Sequence, residues 1–281
     1  MEKQYIYRKH IRIMQKVMPA FLGCLAVIIL IASIVVASFM KNELNKILVL
    51  IPGVFLFFIV SIEALFIWFI FRRFTKVSVK LTEDYLIYTN IKGETTVPID
   101  QIQKLEYPSI PYIGGWLKII YPGGNIRLTV VLENIGDLLR KLKMNLDSKG
   151  NQCYNRKDMF NFYKTAEYSD QSWERVYEIF VKILLLTFLS IFLGVLLYIL
   201  SGQPKIMVFW ALASAILPLI TWLIAEIVFM VKSASGSNEE KFEVKPRDRV
   251  YEKKVYTLSF AVYAVLYFLV SAAMLLLSYL Q

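Results

Sequence analysis

Residues 47–71, ILVLIPGVFLFFIVSIEALFIWFIF, decide the class of fold because they contain a single charged side chain, Glu63. A helix of this length extends about 37 Å, which is enough to cross the roughly 30 Å hydrocarbon core of a bilayer. A chain in lipid has no water to bond, so only a helix satisfies the backbone N–H and C=O groups of such a segment. The stretch therefore predicts a transmembrane helix.

Four further apolar runs of similar length accompany it, at 19–39, 179–200, 206–231 and 258–280. The first two runs are separated only by residues 41–46, and the third and fourth only by residues 201–205. Each helix must re-cross the bilayer at once, so these pairs should form helical hairpins. The sequence predicts a membrane α-helical protein with about five transmembrane helices: hairpins at 19–71 and 179–231, plus a last helix at 257–280.

Composition and charge support a multi-pass protein of the cell membrane. The chain is 57% hydrophobic and only 19% charged, whereas soluble domains carry nearer a quarter charged residues. Its net charge of +10 is concentrated beside the apolar runs, which is typical of membrane topology signals rather than of a nucleic-acid face. The Lys and Arg residues gather in the tail 1–18, after Arg72 and in the loop 232–256, so the N-terminus should be cytoplasmic.

The region between the second and third runs is different in kind. From 77 to 131 it consists of short β-rich stretches separated by turn signals at 82–84, 90–93 and 122–125. Asn134 can then begin a helix with apolar side chains at helical spacing, namely Ile135, Leu138, Leu139 and Leu142. The expected layout is an antiparallel β domain, 75–147, closed by one amphipathic helix.

Within that region, Leu81-Thr82-Glu83-Asp84-Tyr85, 97–102 (VPIDQI) and 122–124 (PGG) resemble the bacterial pleckstrin-homology-like (bPH) domains of multi-pass membrane proteins. The resemblance covers about residues 75–143. It implies a PH-like fold inserted between membrane helices, without catalytic residues. Some proteins with similar domains take part in envelope homeostasis or in immunity against membrane-active bacteriocins, so a bacterial origin is implied as well.

The first turn of this domain departs from phosphoinositide-binding relatives. Those proteins place several Lys and Arg residues there, whereas this chain has Thr82-Glu83-Asp84, which would repel an anionic headgroup. We therefore expect no specific phosphoinositide binding. The expected partners are the lipid bilayer and another membrane or cytosolic protein, or a second copy of the chain.

The chain offers little that could carry catalysis. No nucleophile has a base at a recognisable spacing, no His/Cys/Glu pattern suits a metal, and no glycine loop suits a phosphate. The one histidine, His10, lies in the basic tail, and Cys24 and Cys153 indicate no disulfide framework. We expect no enzyme activity, no cofactor and no metal.

Two intramembrane carboxylates are the candidate functional residues. Glu63 lies nine positions before Arg72, about 13 Å deep along a helix, and Glu226 lies six positions before Lys232. Such groups face a polar cavity or a partner because charge is costly in lipid. Each either serves an ion or proton path or recognises a cationic ligand, or else it is protonated and bonded across helices or reaches the interface. No basic residue is expected at a matching depth.

Interfacial anchors are predicted at the membrane surface. Arg72 and Arg73 end the second run, and the linker 148–178 is expected to hold an interfacial helix capped by Ser169. In that helix, Trp173 and Tyr177 share the apolar face with Val176 and Phe180, while Glu174, Arg175 and Glu178 point away. The tail 1–18 has a similar basic amphipathic pattern. The sequence Arg-Val-Tyr-Glu occurs at 175–178 and again at 249–252, a weak sign of duplication.

These observations favour a non-enzymatic membrane scaffold, regulatory or protective protein with a cytosolic protein-interaction domain. Two alternatives stay open. One is a small transporter or channel that uses Glu63 and Glu226, and the other is an immunity protein against a membrane-active bacteriocin.

Overall fold

The computed structural model describes residues 3–201 and 205–280, with the side chains of 205–208, 211 and 278–280 excepted. The chain divides into two units. Unit 1 comprises Met1–Pro108 and Trp116–Asn155, and unit 2 comprises Ser109–Gly115 and Arg156–Gln281. Among the described residues, five helices are long and apolar enough to cross a membrane, as expected of a multi-pass membrane protein.

Unit 1 begins its membrane part with a hairpin of two long helices, α1 (Lys9–Ser38) and α2 (Glu43–Thr75). The Asn42 side chain accepts a hydrogen bond from the backbone N–H of Leu44 at 2.9 Å and caps α2. Gly53 of α2 lies against Ser33 of α1, where any Cβ would overlap the Ser33 side chain. Glycine is required there by space rather than by backbone angle.

The soluble part of unit 1 holds two antiparallel sheets. The first has the order β1-β2-β3-β4, and the second pairs β5 and β8 with the central β7. The strands are β1 (Gln4–Ile6), β2 (Ser78–Leu81), β3 (Tyr85–Asn90), β4 (Gly93–Pro98), β5 (Lys104–Glu106), β7 (Gly114–Tyr121) and β8 (Gly124–Thr129). The predicted separate antiparallel β domain is therefore present, and its three predicted turns lie between paired strands.

The closing helix of this domain is α3 (Ile135–Ser148). The four side chains predicted to form its apolar face are all fully buried, as is Leu146. Helical spacing identified this face because the pattern is local to the helix. Asn151 continues the closure by donating from Nδ2 to the carbonyls of Ile99 and Ile102 at 3.1 and 3.0 Å.

The N-terminal tail differs from the prediction. Residues 1–18 were expected to form one amphipathic segment, but Gln4–Ile6 form strand β1, and α1 already begins at Lys9. Strand β1 pairs with β2 in the register Ile6↔Ser78, and Tyr5 and Tyr7 are only 1% and 3% exposed. The tail thus supplies an outer strand and two core side chains to the domain predicted at 75–147.

Unit 2 is a bundle of three helices, α4 (Arg156–Leu200), α5 (Lys205–Ser235) and α6 (Arg249–Leu280), with the short strand β6 (Ser109–Ile110) beside β7. The prediction of a helix start at Ser169 is wrong, because α4 already runs through the linker predicted at 148–178. The predicted turn at 201–205 falls mainly on residues 202–204, which lie outside the described residues.

The segment between α5 and α6 is shorter than the predicted loop 232–256, because both helices extend into it. Its backbone folds back on itself between Asn238 and Glu243. Phe242 has a φ of 52° and packs its ring on Tyr163 of α4, with ring centroids 4.8 Å apart. This contact attaches the segment to the polar half of α4, which is the part of the helix that precedes the apolar run 179–200.

Candidate functional site

The buried charge of unit 2 is centred on Arg175, whose side chain is 2% exposed. Its Nη2 and Nε atoms donate to Glu226 Oε2 and Oε1 at 2.7 and 3.1 Å, a bidentate pair between α4 and α5. Its Nη1 donates to Glu252 Oε1 of α6 at 3.3 Å. The rings of Tyr168 and Phe229 cover the guanidinium, with centroids 5.4 and 4.7 Å away. One arginine thus joins all three helices.

Glu226 has three further donors besides Arg175. Tyr256 Oη donates to its Oε1 at 2.7 Å and Ser172 Oγ to its Oε2 at 3.0 Å, while Tyr168 Oη donates to its backbone carbonyl at 2.9 Å and lies 3.3 Å from Oε2. The prediction that no basic residue matches Glu226 in depth is therefore wrong. Arg175 was expected to point outward, and it lies instead in the buried stripe of α4.

A second arginine, Arg247, closes the cluster from the segment between α5 and α6. It donates to Glu252 Oε2 at 2.6 Å, to Glu174 Oε2 at 2.8 Å and to Glu178 Oε2 at 3.1 Å. Burial alone would lower the pKa of its guanidinium, but these hydrogen bonds outweigh burial and raise the pKa. Arg247 therefore stays charged, as it must to balance three carboxylates.

The two Arg-Val-Tyr-Glu sequences meet in this cluster. Arg175 of the first pairs with Glu252 of the second at 3.3 Å, and Arg249 of the second lies 4.0 Å from Glu178 of the first. The pairing is reciprocal in sequence but unequal in strength, because Arg175 is buried whereas the Arg249 side chain is 75% exposed. The repeated motif is thus a contact between α4 and α6.

A network of hydroxyl groups continues this contact deeper into the apolar part of the bundle. Tyr263 and Ser190 share a hydrogen bond of 2.6 Å, and Tyr267 Oη donates to the carbonyl of Ser190 at 2.9 Å. Ser214 of α5 lies 3.2 Å from Tyr267 Oη. Since Arg175 is level with Glu252 and Ser190 with Tyr263, α4 and α6 run in the same direction.

Glu63, the other predicted carboxylate, belongs to unit 1 and has a different environment. It is exposed on α2, beside the buried Ala64 that faces α1. Among the described residues it has no hydrogen bond and no ion pair. Its neighbours along the helix surface, Ile62 and Phe66, are 63% and 64% exposed. Among the described residues Glu63 therefore has none of the donors that surround Glu226.

The predicted anchors lie at helix ends or on the polar half of α4. The guanidiniums of Arg72 and Arg73, in the last turn of α2, cover the rings of Trp68 and Phe69 at 5.0 and 4.6 Å. The rings of Trp173 and Tyr177 are 6.2 Å apart on α4, and Tyr177 is 46% exposed. Trp173 also lines an aromatic cavity of about 510 Å³ that contains Trp222.

In chemical terms the Arg175–Glu226–Glu252–Arg247 cluster is an electrostatic clamp. Each of its two buried carboxylates faces an arginine, so neither is a vacant ligand for an ion. In the part of the chain that the structure describes, no three His, Cys, Asp or Glu side chains are grouped to hold a metal ion. Comparison with family models, with curated proteins and with solved structures finds no match.

Proposed function

We propose that this chain is a non-enzymatic integral membrane protein that scaffolds or regulates a second protein. The partner docks a membrane helix on the α1–α2 hairpin, and the β domain adds a soluble interaction surface. The observation that carries the proposal is Glu63, an exposed carboxylate within the apolar part of α2 that has no partner among the described residues.

The position of Glu63 makes solvation by water or headgroups difficult. It is about 13 Å along the helix from Arg72 and about 25 Å from Lys46, so it lies inside the hydrocarbon from either end. A charged side chain at the centre of a membrane helix costs about 2.5–3.5 kcal/mol on insertion scales. A Lys, Arg, hydroxyl or amide donor at the same depth of a partner helix offsets part of that cost. Glu63 and its neighbours Ile62 and Phe66 are all exposed, so this side of α2 is open to a partner helix.

The β domain supports the proposal through its architecture. A four-stranded antiparallel sheet and a second antiparallel sheet, in which β5, β6 and β8 pair with β7, are followed by a closing helix, and we propose a PH-like fold here. Its first turn is acidic, and Asp84 of that turn is paired with Lys149 at 2.6 Å. The turn offers no cationic cradle for a phosphate, so protein binding is the better role. A soluble version of the domain should not bind anionic liposomes at physiological salt. Headgroup-specific binding would instead indicate that the domain is a lipid sensor.

The proposed orientation places the β domain in the cytoplasm. Support comes from the Lys and Arg residues, which flank the apolar spans on the side that carries this domain and the α5–α6 segment. A cysteine at Asn42 should react with an impermeant thiol reagent in intact cells, whereas one at Ser235 should react only after lysis. The opposite result would place the domain outside.

The transporter alternative is weaker because the clamp occupies one of its two carboxylates. Glu226 accepts bonds from Arg175, Tyr256 and Ser172, which favours a role in holding helices. Glu63 remains the residue on which the scaffold and transport hypotheses differ. Among the residues that the structure describes, no contact favours immunity against a bacteriocin over the other roles.

The test compares two substitutions of Glu63 in the full chain, expressed in its native membrane. Glu63→Gln keeps the shape and the hydrogen-bonding capacity of the side chain, whereas Glu63→Leu removes its hydrogen-bonding atoms. After extraction in mild detergent, the parent and Glu63→Gln should migrate as a complex larger than the chain with its micelle. Glu63→Leu should migrate as the chain alone, while Ile62→Leu, a control on the adjacent exposed position, should match the parent. A parent that migrates alone contradicts the scaffold. The transport hypothesis would be favoured if Glu63→Gln folds and keeps its complex but has the growth or stress phenotype of cells that lack the protein.

A further inference from the structure

Parallel helices α4 and α6 enclose a groove of about 350 Å³ at the level where both enter their apolar spans. Its floor is made by Tyr256 and Phe260, and its rim carries three basic side chains, Lys182, Arg249 and Lys253. All three are exposed. Lys182 lies three residues inside the apolar run 179–200 of α4, and Lys253 lies five residues before Leu258, which begins the apolar run of α6. The groove therefore lies at the depth of lipid headgroups.

The charge balance of the groove favours an anion. Two carboxylates, Glu178 and Glu252, also line it. Both are hydrogen-bonded to Arg247, at 3.1 and 2.6 Å, and Glu252 also accepts from Arg175. Their charge is therefore largely compensated from within the clamp. Lys182 and Lys253 have no ion pair among the described residues, so their charge is available to a ligand.

The shape of the groove favours a lipid over a small free anion. Phe260 is the last residue of α6 that lines the groove, and beyond it both helices continue as apolar runs, with Leu186 and Leu193 of α4 packed against the cluster of Tyr263, Tyr267 and Trp210. A phosphate at the rim would leave its acyl chains along this surface. Lysine side chains at such a position extend towards the headgroup layer while their methylenes stay in apolar contact.

We propose that the α4–α6 groove binds the phosphate headgroup of an anionic phospholipid, held by Lys182, Lys253 and Arg249. This site is separate from the docking of a partner on α1–α2 and does not depend on it. It is also separate from the β domain, whose acidic first turn offers no such cradle. The clamp has a part in this binding, because it neutralises the carboxylates that would otherwise repel the phosphate.

The experiment measures lipid retention by native mass spectrometry on the full chain in detergent. The probes are phosphatidylglycerol and phosphatidylcholine with identical acyl chains. The test variant is Lys182→Gln with Lys253→Gln. The control variant is Lys157→Gln with Lys241→Gln, which removes the same charge from exposed positions outside the groove and at least ten residues from any apolar run. Thermal unfolding of each variant checks that the fold is kept.

The parent should retain phosphatidylglycerol in preference to phosphatidylcholine. Each juxtamembrane lysine contributes about 1 kcal/mol towards an anionic lipid, so the test variant should bind phosphatidylglycerol about 30-fold more weakly. The control variant should stay within about twofold of the parent. Equal retention of the two lipids, or equal loss in the control, would overturn the proposal. Displacement of phosphatidylglycerol by millimolar inorganic phosphate would assign the groove to a free phosphate instead.

Discussion

Substitution of Arg175 by methionine tests whether the clamp holds the three-helix unit together. Methionine keeps the length and apolar stem of the side chain and removes the guanidinium. The change deletes the hydrogen bonds of 2.7 and 3.1 Å to Glu226 and the bond of 3.3 Å to Glu252. Removing one partner of a buried ion pair costs about 3–5 kcal/mol because the other charge stays buried.

The lower end of that range applies here. The Glu226 carboxylate keeps hydroxyl donors from Tyr256 and Ser172, and Glu252 keeps Arg247. We therefore expect Arg175→Met to lower the free energy of unfolding by about 3 kcal/mol, which is over 100-fold in the folding equilibrium. Adding Glu226→Gln should restore at least half of the loss, because the remaining uncompensated charge is gone.

The assay is reversible unfolding by sodium dodecyl sulfate from a mild detergent, followed by tryptophan fluorescence. Replacing Trp68 and Trp116 by phenylalanine leaves the three tryptophans of unit 2 as the only reporters. The matched control is Arg249→Met in the second Arg-Val-Tyr-Glu sequence. That side chain is 75% exposed and 4.0 Å from its carboxylate, so its loss should cost under about 0.5 kcal/mol. Equal losses of unfolding free energy in Arg175→Met and Arg249→Met would refute the claim that the clamp holds the three helices together.

Three further predictions concern unit 1. Gly53→Ala should weaken the α1–α2 hairpin, because its Cβ would overlap Ser33, whereas Gly23→Ala, with open space around it, should not; detergent unfolding measures both. A soluble β domain made by joining residue 8 to residue 76 through a short Gly-Ser linker should unfold cooperatively in urea. The same fragment without residues 3–8 should not unfold cooperatively in urea. Equal stability of the two fragments would show that β1 is not part of the core. Lysine donors lower the pKa of Glu106 from 4.5 to about 2, so its contribution is present above pH 4.5 and is lost as the pH falls towards 2. Glu106→Gln should therefore flatten the acid side of the soluble domain's stability curve, and an unchanged curve would contradict this.

Local patterns in the sequence were sufficient for the membrane helices and for α3. The apolar runs had the length of a bilayer, and Ile135, Leu138, Leu139 and Leu142 repeated at helical spacing within one element. Turn residues likewise marked the hairpins of the β domain, because a tight turn imposes its backbone angles on the residues within it.

Contacts between distant parts of the chain were not predictable in the same way. Arg175 shares a stripe of α4 with Tyr168, Ile179 and Ile183, at helical spacing, and that stripe is buried. An arginine in an apolar stripe indicates a buried pair only when the opposing carboxylates are known, and Glu226 is 51 residues away. Strand β1 was missed for a related reason, since three residues at the N-terminus become a strand only by pairing with β2 across the whole hairpin.

The central claim is that the Glu63 side of α2 is covered by another protein, and cross-linking from within the membrane tests it most directly. A photo-reactive amino acid is placed at Phe66, near Glu63 on the helix surface, or at Leu65, on the opposite flank of α2. The two positions are 64% and 67% exposed, so reagent access is matched. In native membranes, Phe66 should yield one discrete protein adduct that disappears with Glu63→Leu, and Leu65 should yield lipid adducts. Lipid adducts from both positions, or a protein adduct unaffected by Glu63→Leu, would contradict the account.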